Sequence, residues 1–147
     1  EKLRCWLRIQ DGDVSVSIET ASMGRETWRG STENRYFVAG SWDNWGLSPM
    51  TREADSPDVW TAAFVVGHTG EEEFQLLVNQ NWNLRLYPAS GGSAPGDCVV
   101  CGPDRKGNRK NWKVLAPPGT AIGVALDLGA EDYRSMVSCQ PIGWMLL

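Results

Sequence analysis

Three tryptophans lie in polar segments from which an indole ring could reach solvent. Trp42, Trp45 and Trp82 have glycine, serine, aspartate and asparagine neighbours, in a chain with eight tryptophans among 147 residues. An exposed indole offers a flat apolar face and one N–H donor. The C–H face of a pyranose ring can stack on it while amide side chains bond the sugar hydroxyl groups. These residue types suit a carbohydrate-binding site, although tryptophans in such segments are more often buried.

The side chains that catalysis needs are scarce. His68, the one histidine, lies in the turn 67–70, away from any nucleophile motif. Nucleophilic triads and two-histidine metal sites both need a different arrangement, and the G-x-S-x-G and phosphate-binding-loop motifs do not occur. Glu71–Glu73 is a contiguous carboxylate run, typical of a solvated strand edge, whereas a glycosidase needs two converging carboxylates. We therefore expect a protein that binds without catalysing.

The four cysteines could form a metal or disulfide site only through distant pairing. Cys98 and Cys101 form a single C-x-x-C, whereas Cys5 and Cys139 lie far apart in sequence. The two outlying thiols could complete a zinc site, or form disulfides, if the terminal strands met. Free thiols or one local disulfide is the favoured interpretation, so no metal and no cofactor are expected.

Charge and hydropathy limit the partners. The net charge of −4 argues against a phosphate-tracking surface. A basic cluster within nine residues is typical of a solvated loop, and it consists of Arg105, Lys106, Arg109, Lys110 and Lys113. We expect no nucleic-acid partner, and no segment is apolar over the length that a transmembrane helix needs.

The elements that must position the tryptophans are predicted to be β-strands. Hydrophobic residues alternate with polar ones at the period of a half-buried strand. The predicted strands cover residues 3–9, 13–20, 35–40, 59–66, 73–79, 111–115 and 120–128. Glycine- and proline-rich turns separate them. We expect an all-β, immunoglobulin-like antiparallel β-sandwich of about seven to nine strands, with Trp60 and Trp112 in its core.

The tryptophan motifs follow an order that resembles a known family. Residues 36–45 read YFVAGSWDNW and precede Met50-Thr51-Arg52, while residues 73–82 read EFQLLVNQNW and precede Tyr87-Pro88. Over about residues 36–88 this succession resembles the early-set, immunoglobulin-like glycogen- and starch-binding modules of branching enzymes and of the β subunits of AMP-activated kinase. The resemblance implies a non-catalytic module that binds α-glucan.

The same resemblance implies roles for particular residues. Trp45 and Trp82 would be the pair on which sugar stacks, and Trp42 would pack inward. Gln75 stands where the family commonly has a sugar-contacting lysine, a departure that bears on affinity. The implied polar contacts are Gln75, Asn79, Gln80 and Asn81, with Asn108 or Asn111 as a later one.

A second function of a different class stays open, because a fold alone does not determine function. The chain could be an accessory or scaffold subunit that docks onto a larger assembly, including a membrane-associated one. The apolar run Ile142–Leu147 suits docking, although a final strand is its more usual role. We expect one domain over residues 1–147, as a fragment or mature form of a longer chain that could append to a catalytic domain. The compartment stays open: an intracellular one is slightly favoured, and a plastid or another starch-containing compartment is an alternative.

Overall fold

Strands dominate the fold because apolar side chains recur at every second position. The structure, a computed structural model, describes residues 1–10, 12–31 and 33–144. Its contacts divide the chain into two compact units, Glu1–Asn34 and Arg35–Leu147. Both layers of the sandwich lie in the second unit, and the expectation of one domain over residues 1–147 stays a prediction.

The strands are numbered in chain order. The first unit contains β1 (Leu3–Gln10), β2 (Asp13–Thr20) and β3 (Gly24–Ser31). The second unit contains β4 (Tyr36–Gly40), β5 (Leu47–Pro49), β6 (Thr51–Arg52), β7 (Val59–Val65), β8 (Glu71–Val78), β9 (Arg85–Pro88), β10 (Val100–Asp104), β11 (Trp112–Leu115), β12 (Thr120–Asp127) and β13 (Val137–Trp144). A single 3-10 turn covers Ser41–Asp43.

The first unit is a three-stranded antiparallel sheet in the order β1-β2-β3. Gly12 and Gly24 adopt positive φ angles of 83° and 71° at its two turns, a conformation that glycine takes without steric cost. The register places Leu7 opposite Val16 and Val16 opposite Trp28. Because side chains alternate between the faces of a strand, one face of this sheet is apolar. Asp11, in the predicted turn 11–12, lies outside the described residues.

The second unit is an antiparallel sandwich, as predicted. One sheet has the order β10-β9-β8-β4-β5 with β11 also paired to β8, and the other has the order β13-β12-β7-β6. The predicted all-β fold is therefore confirmed. In its described residues the sandwich has ten strands rather than seven to nine, because strands as short as β5 and β6 are too brief to show alternation.

The core lies between the two sheets. Trp112 is fully buried, as predicted, and stacks on Phe74 with 5.2 Å between ring centroids. Trp42 packs inward on Phe64, with 4.0 Å between centroids and 2° between ring planes. Gly40 lets the Trp42 ring approach the backbone, since a Cβ at that position would lie 2.1 Å from the ring. A fully buried ring such as that of Phe74 stabilises the fold by about 1.5–3 kcal/mol, and the partly buried Trp42 ring contributes less.

A smaller apolar cluster lies on the opposite, outward face of the six-stranded sheet. Phe37, Ala39 and Leu77 form it, with Trp45 and Leu47 packed against them. Residues 37 and 39 alternate with the core residues of β4, so they point away from the sandwich interior. The candidate site lies against this outward cluster, because Trp45 contacts the cluster and also lines the site.

Candidate functional site

Trp45 is held by a tight turn at the end of β4. The 3-10 turn at Ser41–Asp43 follows Gly40, and the backbone N–H of Trp45 donates to the Gly40 carbonyl oxygen at 2.9 Å. Asn44 and Trp45 take φ angles of 60° and 64°. A left-handed backbone costs about 1 kcal/mol for a residue with a Cβ. The turn therefore positions the indole over the outward cluster at a cost in backbone strain.

A buried carboxylate fixes the start of this turn. Glu72 accepts hydrogen bonds from the Ser41 hydroxyl and from the backbone N–H of Gly67, and the backbone N–H of Glu73 donates to the Ser41 oxygen at 2.9 Å. Glu72 is buried, so the expectation that Glu71–Glu73 is a solvated edge is wrong at its middle residue. The bonds satisfy the carboxylate, which would otherwise be costly to bury.

Trp82 lies in the turn between β8 and β9, and Arg85 holds it. The Trp82 side chain is 38% exposed. The guanidinium of Arg85 lies 4.9 Å from the centroid of its ring, and Arg85 Nε donates to the Trp82 carbonyl oxygen at 2.7 Å. A cation over an indole face contributes about 0.5–1 kcal/mol at an exposed site. Arg85 therefore fixes the position of Trp82 and covers one face of its indole ring.

Gln75 connects the sheet to the loop at residues 105–111. Its side chain is 1% exposed. Its Nε2 donates to the carbonyl oxygens of Gly107 at 2.5 Å and Lys110 at 2.9 Å, and its Oε1 lies 3.5 Å from Arg85 Nη1. Both amide hydrogens of Gln75 are thus bonded to backbone carbonyls rather than directed at a ligand.

The base of the same loop is anchored on Tyr87. The Tyr87 hydroxyl donates to Asp104 Oδ1 at 2.9 Å, and the backbone N–H of Lys106 donates to the same oxygen at 2.8 Å. The Lys106 bond, followed by the tyrosine bond, holds the pKa of Asp104 below its usual value. Desolvation, followed by the hydrogen bond to Asp104, raises the pKa of Tyr87. Gly107 packs directly on the Tyr87 ring.

These elements enclose an open cleft of about 290 Å³. Its lining residues are Trp45, Gln75, Trp82, Arg85, Asn108, Arg109 and Asn111. The structure therefore brings the two expected stacking tryptophans together with three of the expected amides. A cleft lined in this way can stack on a ring and hydrogen-bond its substituents. Its lining offers no carboxylate, imidazole, thiol or hydroxyl that could act as a nucleophile or general base.

The comparison with solved structures concerns the fold. SusF from Bacteroides thetaiotaomicron is similar, with a TM-score of 0.56 and 13% sequence identity over 87% of this chain. The alignment covers 32% of SusF, so the chain spans about a third of that protein's length. No known protein family matches the sequence, and no curated protein does. At this identity the likeness shows a shared β-sandwich fold.

Three of the expected sugar contacts lie in the β8–β9 turn instead of the cleft lining. Asn79 and Gln80 take φ angles of 55° and 57°. The side-chain oxygen of Asn79 accepts from the backbone N–H of Arg35 at 2.8 Å, and that of Asn81 accepts from the backbone N–H of Asn83 at 2.9 Å. These bonds shape the turn that carries Trp82. The role of the three residues as direct contacts stays a prediction.

Sequence reasoning missed Arg85 and assigned Arg109 only to a basic cluster. Arg85 lies three residues after Trp82, at the start of β9, where strand pairing with β8 directs it to the cleft. Arg109 takes a φ angle of 65° at the tip of its loop. An arginine close in sequence to an exposed tryptophan was the signal that could have identified Arg85.

None of the four cysteines is among the residues that line the cleft. All four thiols are free. Burial raises the pKa of the Cys139 thiol to about 12. Within residues 1–10, 12–31 and 33–144, no group of three or more histidine, cysteine, aspartate or glutamate side chains is placed to hold a metal ion. Among the same residues no helix is long and apolar enough to cross a membrane.

Proposed function

We propose that this protein is a non-catalytic carbohydrate-binding module that takes an α-glucan in the cleft between Trp45 and Trp82. The observation that carries the proposal is that two indole rings share one open cleft with arginine and asparagine side chains. The order of motifs over residues 36–88 resembles that of glycogen- and starch-binding modules, and this resemblance favours α-glucan as the class of sugar.

Binding would combine stacking with hydrogen bonding. The face of Trp82 that Arg85 leaves uncovered can stack on a glucose ring, and Trp45 can stack on a neighbouring one. Asn108 and Asn111 offer carboxamide donors and acceptors to sugar hydroxyl groups. Such a shallow site predicts modest affinity, with a dissociation constant of roughly millimolar to micromolar.

The bonds beneath the cleft favour binding because they order it beforehand. Gln75 holds the loop at residues 105–111 through two backbone carbonyls, and Arg85 is bonded to the turn of Trp82. Side chains that are already fixed lose less conformational entropy when a ligand binds. The proposed site is therefore largely preformed.

The test is native affinity electrophoresis through gels that contain glycogen or soluble starch. We expect retardation of the wild type and of Trp144→Ala, a control that removes a 64% exposed tryptophan from β13. Trp82→Ala and Trp45→Ala should each weaken binding at least about tenfold, which corresponds to at least about 1.4 kcal/mol of binding free energy. Because Trp45 packs on the outward cluster, its variant also needs a thermal unfolding measurement.

Two outcomes would count against the proposal in different ways. If the wild type runs unretarded, α-glucan binding is wrong. If the wild type is retarded and Trp82→Ala is retarded equally, the glucan binds elsewhere and the assigned cleft is wrong.

A docking role is the second candidate, and one observation favours it. In the first unit, Leu3, Leu7, Ile9 and Trp28 are exposed, and the strand register gives the sheet an apolar face. Exposed apolar surface of this kind is typical of protein interfaces. In the terminal run, Ile142 and Trp144 belong to β13 and are exposed, while residues 145–147 lie outside the described part of the chain. Co-purification with a partner and no glucan binding would support this role.

A further inference from the structure

The charge of the cleft points to a more specific ligand than a neutral glucan. Arg85 and Arg109 are the charged residues among its lining, and no carboxylate joins them. A neutral sugar can be bound by amides and indoles alone. Binding of a neutral glucan therefore does not explain why the lining holds two guanidinium groups and no carboxylate.

Both guanidinium groups keep donors for a ligand. An arginine side chain has five N–H donors. Arg85 uses one on the Trp82 carbonyl and directs a second, at 3.5 Å, towards Gln75 Oε1, and both of these acceptors are neutral. Within the part of the chain that the structure describes, neither Arg85 nor Arg109 forms an ion pair of the kind that joins Arg25 to Glu19 and Lys113 to Glu71.

The surrounding loop adds positive charge. Arg105, Lys106 and Lys110 lie on the same loop as Arg109. The carboxylate at the base of this loop is Asp104, and it already accepts hydrogen bonds from Tyr87 and Lys106. The cleft is thus locally basic in a chain whose net charge is −4, which concentrates anionic ligands near it.

Arg109 also occupies its position at a cost in stability. Its φ angle of 65° lies in the left-handed region, where a residue with a Cβ is disfavoured by about 1 kcal/mol. Glycine would fit this backbone without strain. Strained backbone of this kind is concentrated at ligand-binding sites, and Trp45, across the same cleft, is strained in the same way.

We propose that the α-glucan bound in this cleft carries phosphate monoesters, and that Arg85 and Arg109 bind the phosphate. This inference rests on the proposed function and narrows its ligand. A guanidinium group forms paired, charge-assisted hydrogen bonds with phosphate oxygens. A phosphate monoester carries a charge of about −1.5 to −2 near neutral pH. This charge balances the two positive charges of the arginines more fully than the single charge of a ligand carboxylate would. The indoles stack on the sugar rings while the arginines select the substituent.

The test compares two forms of one polymer. Isothermal titration calorimetry would measure binding of phosphorylated amylopectin and of the same amylopectin after phosphatase treatment. We expect the wild type to bind the phosphorylated form about tenfold more tightly. A hydrogen bond to a charged group contributes more binding free energy than a neutral one, by an amount that corresponds to about a tenfold change in the dissociation constant. The preference should shrink as ionic strength rises, because salt screens exposed charges.

Arg109→Gln should lower the ratio of the two affinities towards one, because it removes one of the two guanidinium groups that bind the phosphate. Arg105→Gln is the matched control, since it removes a charge from the same loop outside the cleft lining, and it should keep the preference. Trp82→Ala should lose binding of both polymers.

The outcomes separate the two proposals. Equal binding of both polymers by the wild type would overturn phosphate recognition and leave glucan binding in place. Binding of neither polymer would overturn both. Binding of a polyuronate as tight as that of the phosphorylated glucan would overturn phosphate as the recognised group.

Discussion

Gln75 shows at the scale of one residue how the cleft is assembled. In the family that the sequence resembles, this position commonly carries a sugar-contacting lysine. Here the side chain is buried, and its amide bonds two backbone carbonyls of the loop at residues 105–111. A neutral amide costs less to bury than an ammonium group. The positive charge is instead supplied by Arg85, whose Nη1 lies 3.5 Å from the amide oxygen.

Gln75→Ala is therefore predicted to destabilise the fold. It leaves the buried carbonyl of Gly107 without its donor, at a cost of about 1–3 kcal/mol, and it also removes the donor to the part-buried carbonyl of Lys110, which costs less. We expect the free energy of unfolding, measured with urea, to fall by about 2–4 kcal/mol. Gln80→Ala, on the exposed β8–β9 turn, is the control and should change stability little. An unchanged urea midpoint for Gln75→Ala would contradict the anchoring role.

The loop between β10 and β11 is the element on which the polar side of the cleft depends. It carries Asn108, Arg109 and Asn111, and it folds over the outward face of β8 and β9. Gly107 is buried at the point of closest approach. A Cβ there would lie 2.3 Å from Cδ1 of Tyr87, a ring that is itself buried and bonded to Asp104. The loop can approach this closely only with glycine.

Gly107→Ala is predicted to displace this loop. The overlap with Tyr87 cannot be relieved by a flexible side chain, so we expect destabilisation of about 1–3 kcal/mol. Glucan affinity should fall as well, because the loop carries cleft residues. Gly143→Ala is the matched control in β13, where an added Cβ would meet Ala121 at an ordinary 3.9 Å. Wild-type affinity and stability in Gly107→Ala would show that the loop tolerates a shift.

At the scale of the whole molecule, the burial of the Cys139 thiol makes the stability of the fold decrease at alkaline pH. Cys139 packs against the core of the sandwich, and burial raises the pKa of its thiol from 9.0 to about 12. A raised pKa means that the folded protein resists ionisation of the group. The stability associated with the neutral thiol is therefore complete below about pH 9 and is lost as the pH rises towards 12. Tyr87, whose pKa is also raised, acts in the same direction.

We expect the wild type to lose about 2 kcal/mol of unfolding free energy through Cys139 between about pH 8 and about pH 10.5. Cys139→Ala should lose less over this interval, although its stability at pH 8 is lower from lost packing. Ser138→Ala, an exposed neighbour, should match the wild-type loss. Urea unfolding at both pH values measures the difference, and equal losses in Cys139→Ala and the wild type would contradict a buried neutral thiol.

Strand prediction succeeded where alternation was clear. The predictions at residues 13–20 and 120–128 agree with β2 and with β12, whose residues alternate between buried and partly buried. Three longer strands, β3, β9 and β10, were missed, and β13 was anticipated only at its end, where residues 142–147 suggested a final strand. In β3, arginine, glutamate and glycine obscure the alternation, and β13 contains Pro141. These strands form because neighbouring strands offer hydrogen-bonding partners, which a local pattern cannot report.

The sequence alone determined that the chain is all-β and contains an antiparallel sandwich, and the motif that resembles the glucan-binding modules implied that Trp42 packs inward. Both conclusions rest on local information, namely the alternation that assigns side chains to strand faces and a short motif. Only the tertiary structure decided which polar side chains join the tryptophans. Gln75 and Gly107 are 32 residues apart in sequence, and their contact brings Asn108 and Arg109 over β8. Alternation tells which face of a strand is buried, but the loop that covers an outward face depends on packing between distant segments.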